Sequence, residues 1–218
     1  MIKNLGKNKS ILNQYIAELR DIDIQKDMLR FRTNLYRIGQ FFAIEISKTL
    51  EYEEKEVITS LGAANVPVLK DCPVIVPILR AGLPMHEGVQ SVFDKAPSAF
   101  ISAYRKAEKN EEFTIQIEYV SSPDLDGKVV IMCDPMLATG ASAVEAYKAL
   151  LRFGKPSHTH FIAAIASMEG VNHMKKRLSS KEFTIWTGAV DEELTAQAYI
   201  VPGLGDAGDL AYGKKSTL

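Results

Sequence analysis

Cysteine is scarce in this chain. Only Cys72 and Cys133 occur, widely separated and each beside a Val/Ile run; the spacing suggests neither a redox pair nor a zinc site, and both are expected as buried free thiols. Charge of one sign is lacking too: 26 Lys and Arg nearly cancel 27 Asp and Glu, leaving a formal net charge of −1. That balance excludes recruitment of a polyanion by bulk positive potential and counts against a nucleic-acid partner, so any phosphate must be held locally. No apolar run approaches the roughly 18 to 20 residues of a membrane-spanning helix, and no membrane partner is expected. The basic opening Met1–Lys9 leads into a mixed amphipathic stretch without an apolar core or cleavage pattern, so a cytoplasmic location is the expectation. The patterns G-x-S-x-G, H-E-x-x-H and G-x-x-x-x-G-K-[ST] are missing, which disfavours the chemistries they carry. Histidine is sparse as well. His158 and His160 would share one face of a strand, which suits a metal only with a third ligand, and none is near in sequence. His86 and His173 read as ordinary helix residues.

What is present is an ordinary globular composition, 46% hydrophobic over 218 residues, enough to bury a core. Residues 10 to 60 read as helical, because Phe31, Leu35, Ile38, Phe41, Phe42 and Ile46 recur at three- and four-residue steps. The charge run Glu51–Glu56 is taken as a solvated helix end. From Pro73 short β-branched runs begin: 74–79, 99–103, 129–133, 161–165 and 182–187. They alternate with helical stretches at 141–153 and 169–178, which predicts an α/β fold with a mostly parallel twisted sheet flanked by helices. The interval 106–128 reads as a projecting β-hairpin flap. One domain, 1–218, with a helical N-terminal region over 1–60, is the simplest organisation.

The most informative stretch is Val129-Val-Ile-Met-Cys-Asp-Pro-Met-Leu-Ala-Thr-Gly-Ala-Ser-Ala143. An apolar strand ends at Asp134, a turn rich in small residues follows, and Ser142 opens a helix. Exposed N–H groups at a helix start, with the Thr139 and Ser142 hydroxyls, suit an anion at the carboxyl end of a strand. Asp134 would repel phosphate and is better placed to accept hydrogen bonds from sugar hydroxyls. A plain strand–turn–helix junction with a Ser or Thr cap fits the spacing equally. Arg80 follows an apolar run and precedes Ala-Gly, so it offers a planar fork to the oxygens of a bound anion or forms a surface salt bridge. Arg105 ends a strand where the flap begins; it closes over a bound anion or is a solvated loop charge. Gly203-Leu-Gly-Asp-Ala-Gly208 formally satisfies G-x-G-x-x-G, yet too little chain follows it for a βαβ unit. Its glycines instead allow the main chain to wrap a small planar ligand.

The stretch Asp134-Pro-Met-Leu-Ala-Thr-Gly-Ala-Ser142 resembles the phosphoribosyl-diphosphate (PRPP) motif of the phosphoribosyltransferases, in the form found in the uracil phosphoribosyltransferase family. Val76-Pro-Ile-Leu-Arg-Ala-Gly-Leu-Pro84, Tyr104-Arg105 and Tyr199-Ile-Val-Pro-Gly-Leu-Gly-Asp-Ala-Gly-Asp209 resemble the same family, in its order, across residues 19 to 213. The resemblance implies the family's fold and transfer of the phosphoribosyl group from PRPP to uracil. It also implies that PRPP is held by Arg80, Arg105, Asp134, Pro135, Met136, Leu137, Ala138, Thr139, Gly140, Ala141, Ser142 and Asp206. Uracil falls to Ile200, Gly205, Asp206 and Ala207 within a base-binding segment 199–213, and Arg105, Asp134 and Asp206 take the catalytic roles. Mg²⁺ would be held mainly by PRPP and water. A homo-oligomer, dimer or tetramer, is implied, with GTP as a candidate effector. A phosphoribosyltransferase for another base, and a PRPP- or nucleotide-sensing protein without turnover, stay open. The chain departs from the family pattern at Ala141, where a second Gly is common and negative φ or strain is required. It also departs at its opening, in the flap, and at the ending Lys214-Lys215-Ser-Thr-Leu218.

Overall fold

The computed structural model describes residues 1–107 and 113–215, with 104–107 and 113–115 described for their backbone alone. The chain opens with β1 (Ile2–Asn4), α1 (Ile11–Arg20) and α2 (Met28–Ser47), followed by β2 (Tyr52–Thr59) and β3 (Gly62–Leu69). Next come β4 (Val74–Leu79), α3 (Leu83–Val92), β5 (Phe100–Ala107), β6 (Phe113–Ser121), β7 (Val129–Cys133) and β8 (Met136–Leu137). The last third holds α4 (Ala141–Leu150), β9 (His158–Ser167), α5 (Met168–Arg177), β10 (Phe183–Asp191), β11 (Glu193–Leu194), β12 (Ile200–Val201) and α6 (Ala207–Tyr212).

The main sheet runs β1-β10-β9-β7-β4-β5-β6, with β8 added on β9. Its pairings are parallel except β5 with β6. Adjacent residues of the central strands feed opposite cores, as parallel strands covered on both faces must. Ile75, Ile131 and Ile162 face α1, α2, α3 and α6, while Val76, Met132 and Phe161 face α4 and α5. The helix α2 starts on Asp27, whose carboxylate accepts from Leu29 N (2.9 Å) and Arg30 N (3.0 Å). It buries Phe31, Leu35, Ile38, Phe42 and Ile46, the face expected from their spacing. The mostly parallel α/β sheet flanked by helices is therefore as the sequence predicts.

The helical reading of 10–60 and of the 1–60 region needs correction. Helix α2 ends at Ser47, and Glu51–Glu56 is not a helix end but runs into an exposed strand, β2, hairpinned to β3 with Thr59 opposite Gly62. Strand β1 was not anticipated either; its three residues join the sheet edge by pairing with β10. Cys133 is buried as expected, whereas Cys72 is only half-buried. Within the interval 106–128, β6 pairs antiparallel with β5, and residues 108–112 lie outside the described residues. Among the described residues no helix is long and apolar enough to cross a membrane.

His158 and His160 do share a face of β9, with ring centroids 4.7 Å apart. Their partners are protein groups: Trp186 Nε1 donates to His160 Nδ1 (3.1 Å), and His158 Nε2 lies 3.0 Å from Thr184 Oγ1. Burial, and then the neighbouring His158 and Lys3, lower the His160 pKa to about 3. Its unfolded value is near 6.5, so between those two pH values the unfolded chain binds a proton that the folded one does not. Stability is then lost as pH falls from about 6.5 toward 3, with a slope of roughly 1 kcal/mol per pH unit from this residue. Urea midpoints between pH 4 and 7 check this. His160→Gln should flatten the acid limb, and an unchanged slope in a folded variant contradicts the assignment.

Candidate active site

The parallel strands β4, β7, β9 and β10 bring Leu79, Cys133, Ser167 and Asp191 to one edge of the sheet, where open α/β sheets take ligands. After β7 the chain does not swing free. Asp134 N donates to Ile162 O (3.2 Å) and Ile165 N to Pro135 O (3.1 Å), and Met136–Leu137 then pair with Ile165–Ala166 as β8. Asp134 Oδ1 accepts from Met136 N at 3.2 Å, fixing the carboxylate at the start of the loop. Ser167 Oγ donates to Ala138 O (2.5 Å) while accepting from Gly170 N (2.9 Å). The start of α5 lies so close that a Cβ on Gly170 would stand 2.3 Å from Ala138 O.

Helix α4 begins from Gly140, which is left-handed at φ 77 and has no side chain to cap it. The Ser/Thr-capped junction is therefore not what is built. Thr139 Oγ1 takes a hydrogen bond from Ala141 N at 3.4 Å, and Ser142 lies in the first turn. Ala141 is helical, and Ala198 is the one non-glycine residue at positive φ among those described, so the substitution for glycine leaves no strain here.

Arg80 follows β4 through a cis Leu79–Arg80 peptide. The turn behind it presses on β7: a Cβ on Gly82 would meet Cys133 O at 2.1 Å. The guanidinium reaches the C-terminal segment, with Nη2 3.2 Å from Asp209 Oδ1 and 3.4 Å from Gly213 O. At 44% and 28% side-chain exposure this pair is weakly held. Asp206 caps α6 by accepting from Asp209 N (3.0 Å) and also accepts from Lys215 Nζ (2.9 Å). Burial raises the Asp206 pKa, but these hydrogen bonds outweigh it and the net direction is downward. Ile200 on β12 and Ala207 on α6 are buried, and Gly205 between them has φ 95. Arg32 Nη1 donates to Ala211 O at 2.6 Å and ties α6 to α2.

Of the sequence-predicted groups, Arg80 meets Asp209 of the C-terminal segment, and the turn that follows Arg80 packs on Cys133, the residue before the Asp134–Ser142 loop. Arg105 lies on β5, beside β4, and its side chain is outside the described residues. Cys133, next to Asp134, is no nucleophile, since burial and then the Asp134 charge push its thiol well up. A separate cavity of about 550 Å³, at the amino ends of the strands, is lined by Lys3, Cys72, Lys128, His158 and Trp186 and holds none of the predicted site residues. Sequence reasoning missed Ser167 and Gly170, which brace the loop, and Arg20 and Asp191, which anchor the 200–205 segment. None of the four sits in a local pattern that announces its partner.

A strand-end acidic residue leading through a braced loop into a helix, with an arginine following the neighbouring strand, is the arrangement of the phosphoribosyltransferases. Comparison narrows the class. The family model described as uracil phosphoribosyltransferase matches residues 7–214. A protein of that name from Porphyromonas gingivalis is 49% identical over 212 residues, covering 97% of this chain and 98% of its own. Another from Methanothermobacter thermautotrophicus is 40% identical, covering 87% and 86%. The solved structure of the AQ2163 protein from Aquifex aeolicus superposes with a TM-score of 0.86 at 34% identity, covering 98% of each chain. This chain belongs to the uracil phosphoribosyltransferase family.

Proposed function

We propose that the protein transfers the 5-phosphoribosyl group of PRPP to uracil, giving UMP and diphosphate, as a glycosyltransferase of pyrimidine salvage. The observation that supports this reading is membership of this family, with Arg80 on Asp209 and its turn packed on Cys133, where the Asp134–Ser142 loop begins. In the reaction a uracil ring nitrogen bonds to the anomeric carbon and gives up its proton. The carbon–oxygen bond to diphosphate breaks, and diphosphate leaves with the electron pair. No protein nucleophile is needed, so positioning and charge stabilisation do the work.

In this scheme the first-turn N–H groups of α4, with Thr139 and Ser142, hold the 5-phosphate along the Pro135–Ala141 loop. Asp134 accepts hydrogen bonds from the ribose hydroxyls. Arg80 exchanges its exposed partner Asp209 for diphosphate, and Arg105 closes from β5. Ile200, Gly205 and Ala207 present backbone groups to the edge of uracil, with Asp206 turned toward PRPP. Among the described residues no three His, Cys, Asp or Glu side chains form a metal-sized cluster. Mg²⁺ would be held mainly by the oxygens of PRPP and water. When bound, it offsets the charge of the leaving diphosphate.

Incubating pure protein with PRPP, Mg²⁺ and each of uracil, hypoxanthine, guanine and adenine tests the proposal. UMP from uracil alone is expected. Absent turnover with uracil, or equal turnover with a purine, overturns it, and a ligand-induced thermal shift without product would point to a sensor instead. GTP is a candidate effector, checked by adding it to the same assay. The reading carries with it a cytoplasmic location and a single domain.

The same reading takes the protein as a homo-oligomer, supported by the β2–β3 ribbon. Strand β2 is exposed along its length, and Ile58 and Leu61 are 75% and 98% exposed. A two-stranded ribbon with apolar groups in water is marginal alone and calls for a partner surface. Ile58→Asp with Leu61→Asp should shift the sedimentation mass toward the monomer. An unchanged mass would separate the ribbon from assembly.

A further inference from the structure

We infer that Arg20 and Asp191 are positioning residues that set the uracil-binding main chain by clamping both polar groups of Gly203. Asp191, the last residue of β10, is only 8% exposed. Arg20 Nη2 donates to its Oδ1 at 2.7 Å and Nη1 to its Oδ2 at 2.8 Å, a bidentate pair. The pair then grips one residue from two sides: Gly203 N donates to Asp191 Oδ2 (2.9 Å), and Gly203 O accepts from Arg20 Nη1 (3.0 Å). Gly203 sits at φ 54, and a Cβ there would lie 2.0 Å from Ile200 O, so the clamped turn is folded directly onto the base-binding segment. Burial raises the Asp191 pKa, but Arg20 and the Gly203 N–H hold it below its ordinary value, so the clamp is charged at neutral pH.

The arrangement suits a specificity task. Arg20 ends α1, a helix of the N-terminal region, while Asp191 ends the strand next to β9, which carries Ser167. Arg20 and Asp191 hydrogen-bond to each other and to Gly203. Their shared target is Gly203, two residues before Gly205 and three after Ile200. A base read by backbone groups depends on main-chain placement, and a small displacement there costs affinity for the base without touching the phosphate grips. Lysine would keep the charge at position 20 but cannot supply the fork that reaches both Asp191 and Gly203 O.

The inference rests on the assignment of 200–207 to uracil, so the test keeps the two apart. Steady-state kinetics with both substrates varied are measured for Arg20→Ala, Arg20→Lys, Asp191→Asn and, as the direct alteration of the base segment, Gly205→Ala. The uracil KM of Arg20→Ala and Asp191→Asn is expected to rise about tenfold or more, in line with loss of charge-assisted hydrogen bonds. The PRPP KM should stay within about threefold, and Arg20→Lys should fall between Arg20→Ala and the parent. A folded Arg20 or Asp191 variant with unchanged uracil KM, or with both KM values moved equally, overturns the inference if Gly205→Ala raises the uracil KM. If Gly205→Ala and the clamp variants all leave it unmoved, the base assignment itself fails. Arg20→Ala strands a nearly buried carboxylate and is the variant most exposed to unfolding; the near-isosteric Asp191→Asn and the charge-conserving Arg20→Lys then carry the measurement. Loss of cooperative folding in all three makes the pair a general structural tie and overturns the inference as well.

Discussion

Gly82→Ala is expected to lower the melting temperature by about 10 °C and turnover by about a hundredfold, although it adds one methyl group to a turn. The ideal Cβ falls 2.1 Å from Cys133 O, 2.8 Å from Ile78 O and 2.9 Å from Ile78 N. All three are backbone atoms of β4 or β7, so no side chain can rotate out of the way. Relief requires parting the two strands where Pro77 pairs with Cys133, or opening the turn that Gly82 N closes on Ile78 O at 3.0 Å. Overpacking of this kind costs about 3 kcal/mol, and a chain of this length loses roughly 2 to 4 °C per kcal/mol. The expected catalytic loss follows from the same movement, since the turn places Arg80, proposed to hold diphosphate, two residues before the Gly82–Cys133 contact, and a displacement near 1 Å is enough for a loss of about a hundredfold. Gly127→Ala is the control: φ is 67, but no atom lies within 4 Å of its Cβ site, so only local backbone strain of about 1 kcal/mol applies. A melting temperature for Gly82→Ala no lower than that of Gly127→Ala would contradict the close approach.

The strands β4, β7, β9 and β10 were legible because each is covered on both faces, and a strand buried twice must be apolar at consecutive positions. Strand β2 was illegible for the opposite reason. With neither face buried, nothing selects an apolar alternation, and Tyr52-Glu-Glu-Lys-Glu56 resembles a solvated helix face. Strand β1 owes its conformation to pairing with β10, assisted by Lys3 over the Trp186 ring at 4.1 Å, a contact no local pattern announces. The same divide runs through the site. The Asp134–Ser142 loop was readable because strand, turn and helix start are contiguous, and the 200–209 segment because its glycines are. Ser167 on Ala138 and Arg20 on Asp191 join residues that meet only after the sheet is assembled, and a serine or an arginine in isolation carries no sign of its partner.

Asp134→Asn is expected to lower kcat/KM for PRPP by about a hundredfold while leaving the melting temperature within about 2 °C of the parent. The two effects separate because the carboxylate has two jobs of different chemistry. Its structural job is to accept from Met136 N at 3.2 Å, and an asparagine carbonyl oxygen does that equally well. The fold at the end of β7, held by Asp134 N on Ile162 O and by the pairing of β8 with β9, is then undisturbed. Its proposed chemical job, accepting hydrogen bonds from the ribose hydroxyls, needs the charge. Hydrogen bonds from ribose hydroxyls to an ionised acceptor are about twice as strong as those to a neutral one. As diphosphate departs, the ribose acquires oxocarbenium character, so a fixed negative charge at the strand end stabilises the transition state more than the ground state. Loss of such a preorganised electrostatic contact is typically a factor of about 10² to 10³. Asp134→Ala differs in an informative way, because it removes the acceptor as well and leaves Met136 N–H without its partner, adding a stability loss of about 1 kcal/mol or more. Parental kinetics in a folded Asp134→Asn would remove the carboxylate from the sugar. Equal melting temperatures for the Asn and Ala variants would instead show that the Met136 hydrogen bond contributes nothing to holding the loop.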